Sequence, residues 1–221
     1  MKTQYCAIIG DINNSRQLEK RGTVQKKFER VIEFINKEYK EEIASKFLIT
    51  IGDEFQGLLH TPEKSYQLVR HFQDLMEPVT FSFGVGIGTL ATPITPKAAI
   101  GMDGECFHRA RAALQQAKTE RKTICYNYSD MVHQKFTNAV VHLLDYQWNK
   151  FTGQQQEIVR LLRSHSQTET AEILKVTKQA ISKVVNSVPA TEWNTIEKLF
   201  PQYLSTVVPG SDKNRQLTKK G

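Results

Sequence analysis

The sequence predicts an α+β protein with two parts, a ferredoxin-like βαββαβ core and an all-α helix-turn-helix domain. Strand-like apolar runs alternate with helical periodicity through residues 1–128. From Ser129 onward the apolar spacing is helical throughout. Within that second part, the segment SQTETAEILKVTKQAISKVVNS carries the caps and apolar anchors of two short helices joined by a tight turn.

The order of elements in the first part follows from the spacing of its apolar residues. The predicted strands lie at 5–9, 47–51, 55–59, 80–88 and 123–126, and the predicted helices at 24–43, 61–76 and 105–118. Thr61 and Pro62 predict the start of the second helix, because threonine caps helices and proline suits their first turn. Gly52, Asp53 and Glu54 separate two strands and predict a tight hairpin.

The second part of the chain is predicted to contain helices alone. We expect the α+β domain at 1–128, a helical connector at 129–150 and the helix-turn-helix domain at 151–205. A helix in that last domain is predicted to stop at Pro201, because proline lacks the amide hydrogen that a helix interior uses. The last eleven residues, SDKNRQLTKKG, hold four basic residues and one acidic residue with almost nothing apolar, so we expect a flexible basic tail at 206–221.

Composition excludes several classes of protein. With 221 residues, 39% hydrophobic and 24% charged, the chain is able to form a core, which excludes an intrinsically disordered protein. No run approaches the roughly 20 apolar residues of a membrane helix, and the segment MKTQYCAIIGDINNS lacks the pattern of a signal peptide.

The cysteines form no CxxC pair, and Cys6 and Cys125 lie in apolar runs, as buried free thiols do. We therefore expect a cytoplasmic protein without a membrane partner.

The net charge of +7 is spread unevenly along the chain. Residues 1–128 carry +3, and the shorter stretch 129–221 carries +4. Such an excess permits a polyanionic partner without requiring one. The density of positive charge is therefore higher in the helical part of the chain.

Two carboxylates are predicted to meet at one edge of the sheet. In the βαββαβ topology the first strand, which ends at Asp11, neighbours the hairpin that contains Asp53. Two carboxylates beside a loop provide the hard oxygen ligands that Mg²⁺ takes when a triphosphate completes its coordination. The loop that follows, Asn13-Asn14-Ser15-Arg16, offers backbone amides to phosphate oxygens. The alternative is that Asp53 only forms a turn and that Asp11 only caps the next segment. Glu54 is expected to be a solvated turn residue.

The fourth strand carries small residues on one face. In FSFGVGIG the alternation of a strand places Ser82, Gly84, Gly86 and Gly88 on the same side. Glycine destabilises a strand interior, so a neighbour must approach that face closely. This neighbour is either a ligand or a tightly packed helix, and we favour the helix.

Several segments resemble those of class III nucleotide cyclases. DINNS resembles their first metal-binding segment, and ITIGDEFQGLL resembles both their hairpin aspartate and the GGDEF signature of diguanylate cyclases. FGVGIG and GMDGECFHRARAAL resemble the strand and helix that follow in those enzymes. Taken in order, IIGDINNSR, SKFLITIGDEFQGLL, FGVGIG, AIGMDG and HRAR resemble the SatD family of bacterial proteins over essentially the whole chain.

The resemblance implies a nucleotide cyclase-like core with a metal and nucleotide site. It implies Mg²⁺ at Asp11, Ile12 and Asp53, and a nucleotide at Asn13, Asn14, Ser15, Gly52 and Arg111. Arg111 matches the cyclase arginine that stabilises the transferring phosphate, and is the candidate catalytic residue. Two positions depart from the pattern: Ile51 replaces the first glycine of GGDEF, and Phe107 replaces the cyclase asparagine. Phenylalanine forms no hydrogen bond to ribose or phosphate, so the departure argues against efficient cyclase activity.

The helix-turn-helix segment predicts a DNA-binding surface. Ser166 with Glu169 forms a capping box, and Thr177 caps the second helix. The predicted apolar anchors are Ala171, Leu174, Val176, Ile181 and Val184, and the predicted DNA contacts are Thr177, Lys178, Gln179, Ser182, Lys183 and Asn186. The lysines suit phosphates, and the amide side chains suit base edges. The turn position that glycine often holds is Lys175, where a left-handed backbone costs roughly 1 kcal/mol.

Three hypotheses on function follow. The first is a DNA-binding transcription regulator, more a sensor than an enzyme, whose N-terminal domain binds a nucleotide or a metal and which acts as a homodimer on double-stranded DNA. The second is a metal-dependent nucleotidyltransferase or cyclase that its helix-turn-helix directs. The third is a scaffold without ligand, and a helix-turn-helix used for protein contacts is the alternative to DNA binding.

Overall fold

The chain folds into two compact units in a computed structural model that describes residues 3–19, 21–50 and 52–207. The first unit comprises Met1–Val141 together with the residues from Pro201 onward, and the second unit comprises His142–Phe200. No helix within the described residues is long and apolar enough to cross a membrane. Most of the predicted basic tail, residues 208–221, lies outside the described part of the chain.

The first unit is built on a five-stranded sheet. Its strands are β1 (Tyr5–Ile12), β2 (Ile43–Ile49), β3 (Glu54–Leu59), β4 (Phe81–Gly88) and β5 (Ile124–Asn127). Its helices include α1 (Arg21–Glu38), α2 (Ser65–Met76) and α3 (Glu105–Glu120). The strand order is β2-β3-β1-β4-β5, with β1 antiparallel to both neighbours and β5 parallel to β4. The first four strands therefore have the order of the predicted split βαβ core.

An aromatic cluster packs α1 and α2 on one face of the sheet. Phe28 of α1 and Phe72 of α2 contact each other edge to face at 6.0 Å. Both rings also meet Phe55 of β3, at 5.7 Å and 4.6 Å, and Phe81 of β4, at 5.4 Å and 5.0 Å. All four phenylalanines are at most 1% exposed. Buried aromatic rings remove a large apolar area from water, so this cluster stabilises the packing of both helices on the sheet.

The opposite face of the sheet is covered by α3, which packs directly on the glycines of β4. A methyl group on Gly84 would lie 2.1 Å from the Ala110 carbonyl oxygen, and one on Gly86 would lie 2.1 Å from both the Ala110 nitrogen and the Cys106 carbonyl oxygen. The close neighbour that the glycines require is therefore a helix backbone. This confirms the favoured alternative, since no space for a ligand remains between Gly86 and α3.

The prediction that Cys6 and Cys125 are buried free thiols is confirmed, and Cys106 is one as well. Burial raises the pKa of the Cys6 thiol far above its usual value and that of Cys106 to about 12. Because the thiolate is the reactive form, these two side chains act as core residues.

Two predicted helix boundaries in the first unit are wrong. Ile43 belongs to β2, where it pairs with Leu59, because the chain turns after Glu38. The second helix begins at Ser65, and neither Thr61 nor Pro62 starts it. The Ser65 amide and hydroxyl both donate to the Pro62 carbonyl, at 3.0 Å and 2.6 Å, so this segment forms a separate turn.

The remaining helices are α4 (Met131–Trp148), α5 (Gly153–Leu161), α6 (Gln167–Leu174), α7 (Lys178–Ser187) and α8 (Ala190–Val207). Both α4 and α8 have residues in both units. The predicted stop at Pro201 is wrong, because Pro201 lies inside α8. A proline removes a single amide donor from the helix ladder, and the helix continues on either side of it.

Candidate functional site

The candidate site lies where β1 ends between β3 and β4. Asp11 is opposite Glu54 on one side and opposite Ser82 on the other. The Ile12 amide donates to the Asp53 carbonyl at 3.1 Å. The backbones of Asp11 and Asp53 are therefore adjacent, although the residues are far apart in the sequence.

Asp11 is part of β1 and does not follow it. The strand extends to Ile12 because its last residues pair with both β3 and β4. The alternative that Asp11 caps a following segment is therefore excluded. Asp53 lies in the turn that precedes β3 and is half-buried.

Two of the three acidic residues at this edge of the sheet, Asp11 and Glu54, are paired with cations of α3. Lys118 forms an ion pair with Asp11, whose side chain is only 12% exposed. Arg111 forms two hydrogen bonds with the carboxylate of Glu54, one of them from Nη2 at 3.0 Å. Since Asp11 and Glu54 are direct cross-strand neighbours, the four side chains form one neutral cluster, which we call the ion-pair cluster.

Glu54 and Lys118 are the two site residues that sequence analysis did not find. The prediction that Glu54 is a solvated turn residue is wrong, because its side chain is 20% exposed and bound to Arg111. Arg111 and Lys118 are seven residues apart, two turns along one face of a helix, and this spacing was a usable signal. Partial burial lowers the pKa of Lys118 from its usual value, as desolvation does for an ammonium group.

The predicted metal ligands do not fit a divalent cation while the ion-pair cluster is formed. Asp11 already has Lys118 as its counter-charge. Within the described residues, no group of three histidine, cysteine, aspartate or glutamate side chains is arranged to hold a metal ion. The assignment of Asp11, Ile12 and Asp53 to Mg²⁺ stays a prediction.

The loop after β1 is held partly by β4. The Asn13 amide donates to the Thr80 carbonyl at 2.9 Å, and the Asn13 side chain accepts from the Ser82 hydroxyl at 2.9 Å. Asn14 is exposed, with a left-handed backbone at φ 53°, and precedes a short 3-10 helix at Ser15–Gln17. Asn13 is thus an anchor of the loop, whereas Asn14 and Ser15 form its tip.

The other predicted nucleotide contacts differ in their surroundings. Gly52 is exposed and has a left-handed backbone at φ 61°, as the hairpin turn requires. Arg111 is held by Glu54, although its side chain is 54% exposed. Phe107, at the position of the cyclase asparagine, is 7% exposed and belongs to a core cluster with Leu58. That position of α3 therefore serves packing.

In the second unit, α6 and α7 are joined by a short turn with the predicted caps. Ser166 and Glu169 form a capping box, and the Thr177 hydroxyl accepts from the Ala180 amide. Lys175 has a left-handed backbone at φ 54°. A small core fixes the two helices against α5; its buried members are Ile158, Ala171 and Ile181, with Leu162, Leu174, Val184 and Val185 packed against them.

The outer side of α7 is polar and exposed. The predicted DNA contacts Thr177, Lys178, Gln179, Lys183 and Asn186 are exposed, and Ser182 is half-buried. The helix contains no acidic residue. One predicted anchor is wrong: Val176 is 38% exposed, because it lies in the turn and not on the packed face.

Several solved structures share a general likeness with this chain. The guanylyl cyclase domain of the RhoGC fusion protein from Blastocladiella emersonii is 16% identical, with 52% of this chain and 75% of that chain covered and a TM-score of 0.41. The guanylate cyclase domain of RhGC from Catenaria anguillulae, in complex with GTP, is 14% identical over 51% of this chain and 72% of that chain, with a TM-score of 0.37. A bacterial light-regulated adenylyl cyclase is 12% identical over 56% and 75%, with a TM-score of 0.39.

No functionally curated protein matches the sequence. The family model described as the SatD family matches residues 5–191. This range contains β1 to β5, the ion-pair cluster and both short helices with their turn. The chain is therefore a member of the SatD family.

Proposed function

We propose that the protein is a DNA-binding regulator whose N-terminal α+β domain senses a nucleotide. The observation that carries the proposal is the exposed, basic and acid-free outer side of α7. It follows a capped helix and a left-handed turn, which is the arrangement of a helix-turn-helix.

The short turn and the caps support α7 as the helix that enters the major groove. In helix-turn-helix proteins the second helix presents its N-terminal residues to base edges. The Thr177 cap fixes the start of α7, and Lys178 and Gln179 come directly after it. Burial of Ile181 fixes the rotation of the helix, because the side chains opposite it must then face solvent.

The chemistry of the exposed side chains favours nucleic acid over a protein partner. Lys178 and Lys183 carry positive charge to phosphates, while Gln179 and Asn186 carry amides that are able to pair with bases. Protein-contact surfaces are instead centred on buried apolar or aromatic side chains. Within Lys178–Ser187 no large apolar side chain is exposed.

The loop after β1 and the cations of α3 support nucleotide sensing. The amides of Asn14, Ser15 and Arg16 donate to no acceptor among the described residues, and Asn14 has the left-handed backbone found in anion-binding turns. Arg111 donates to Glu54 from Nη1 and Nη2, but its side chain is more than half exposed and its other N–H groups are able to donate to a phosphate. These groups suit the phosphates of a nucleotide. Because Phe107 is a core residue, they support binding more than catalysis.

The proposal includes a homodimer. One helix-turn-helix contacts a single half-site, and two copies related by a two-fold axis contact two half-sites about 34–36 Å apart. A preferred DNA sequence is therefore expected to be an inverted repeat.

Selection of duplexes from a randomised DNA library by the full-length protein tests the DNA-binding part of the proposal. We expect enrichment of an inverted repeat whose half-sites are about one helical turn apart. A selection that returns a library no more enriched than one carried out without protein would contradict it.

A further inference from the structure

We propose that the Lys118 ammonium is the permanent counter-ion of the Asp11 carboxylate at the end of β1. It lies where a divalent metal ion would bind that carboxylate. The N-terminal domain then holds no divalent cation at Asp11, and a single neutral substitution of Lys118 creates a metal site there. The inference concerns the edge at which nucleotide sensing is proposed, but it does not depend on that proposal.

The Asp11 carboxylate is largely buried. Its side chain is 12% exposed and lies in the middle strand, flanked by Glu54 and Ser82. A carboxylate so placed needs a counter-charge, because burying an unpaired charge is strongly unfavourable. Lys118 is the cation that supplies it.

The carboxylate opposite Asp11 is neutralised as well. Glu54, directly across from Asp11, has its own cation in Arg111. With both pairs formed, the ion-pair cluster has no net charge. A divalent ion at Asp11 would then lie beside the Lys118 ammonium, and like charges at contact distance repel strongly in a partly buried site.

Removing the ammonium would leave the Asp11 carboxylate without its cation. The turn that contains Asp53 adjoins this end of β1, where the Asp53 carbonyl accepts from the Ile12 amide at 3.1 Å, and Glu54 lies directly opposite Asp11. Oxygen ligands of this kind suit Mg²⁺ and Mn²⁺. The site is thus withheld from metal by one side chain of α3.

Replacement of Lys118 by methionine in the full-length protein tests the inference. Lys118→Met keeps a long apolar stem and removes the charge. We expect Mn²⁺ binding by this variant, measured by calorimetry with Mn²⁺ alone, to be at least about tenfold tighter than by the wild type. The double variant Asp11→Asn/Lys118→Met is expected to lose the gain. Lys26→Met, which removes an exposed lysine of α1, is the control and should bind Mn²⁺ like the wild type.

Either of two results on Mn²⁺ affinity would overturn the inference. One is Mn²⁺ binding by the wild type as tight as by Lys118→Met and equally dependent on Asp11. The other is a Lys118→Met protein that gains no Mn²⁺ affinity. If Lys118→Met unfolds in chelator, Mn²⁺ is expected to restore its far-UV circular dichroism, and failure to do so would also count against the inference. Nucleotides are absent throughout, so the outcome is separate from that of nucleotide sensing.

Discussion

Replacing Gly86 by alanine is expected to lower the free energy of unfolding of the protein by about 3 kcal/mol. The new methyl group would meet the Ala110 nitrogen and the Cys106 carbonyl oxygen, both at 2.1 Å. These are backbone atoms of α3, so no side-chain rotation relieves the clash, and the helix must move off the sheet. Overpacking of a dense core costs typically 1–3 kcal/mol, and a clash with backbone belongs at the upper end. Denaturant unfolding followed by far-UV circular dichroism measures the loss.

Gly22→Ala is the matched control for this prediction. Gly22 lies in α1, and an added methyl group would have no neighbour within 4 Å. Because alanine fits the helical backbone at this position in the first turn and restricts the unfolded chain more than glycine does, the substitution is expected to raise stability by roughly 0.4–1 kcal/mol. If Gly86→Ala were as stable as Gly22→Ala, α3 would not be packed on β4 in the way described.

Replacing Lys178 and Lys183 together by glutamine is expected to weaken binding of the homodimer to duplex DNA by about 1,000-fold at 0.15 M salt, because four phosphate contacts are lost per dimer. Each lysine that neutralises a phosphate contributes about 0.9 to the slope of log affinity against log salt. Loss of two such contacts per chain, and so of four per homodimer, should therefore also lower the salt slope by about 3.6. Fluorescence anisotropy at several salt concentrations measures both quantities. Because the weakening is electrostatic, it should be similar for the preferred and for unrelated sequences.

Lys26→Gln/Lys37→Gln is the control for the loss of charge alone. Both residues are exposed on α1 and belong to the other unit of the chain. This control removes the same positive charge and should change the affinity for duplex DNA much less than Lys178→Gln/Lys183→Gln does. Equal weakening by the two double variants would mean that α7 is not the DNA-binding helix.

The elements with a strong local signal were the ones that the sequence predicted well. The caps Ser166 and Thr177 act as expected, because a cap is set by residues within one turn of it. The glycine face of β4 likewise followed from a period of two, since Gly84 and Gly86 would be costly without a close neighbour.

The contacts of the ion-pair cluster could not be predicted from the sequence, because they depend on the tertiary position of α3. Lys118 contacts Asp11, and Arg111 contacts Glu54, only because α3 lies across the end of β1 and β3. Nothing local to either carboxylate indicates where that helix lies. At Pro201 a local rule gave a wrong prediction. Proline commonly ends a helix, but α8 continues through Pro201 because the rest of the helix keeps its form with one hydrogen bond missing.

The most direct test of the account is the affinity of the full-length protein for its selected DNA, measured by anisotropy with and without each nucleoside triphosphate. The account predicts that at least one nucleotide changes the affinity by about fivefold or more, the usual lower range of coupling between two sites. Arg111→Gln should abolish the change while leaving affinity without nucleotide unaltered, because Arg111 belongs to the α+β unit and not to α7. DNA affinity that is the same with every nucleotide, or no higher than that of Lys178→Gln/Lys183→Gln, would contradict it.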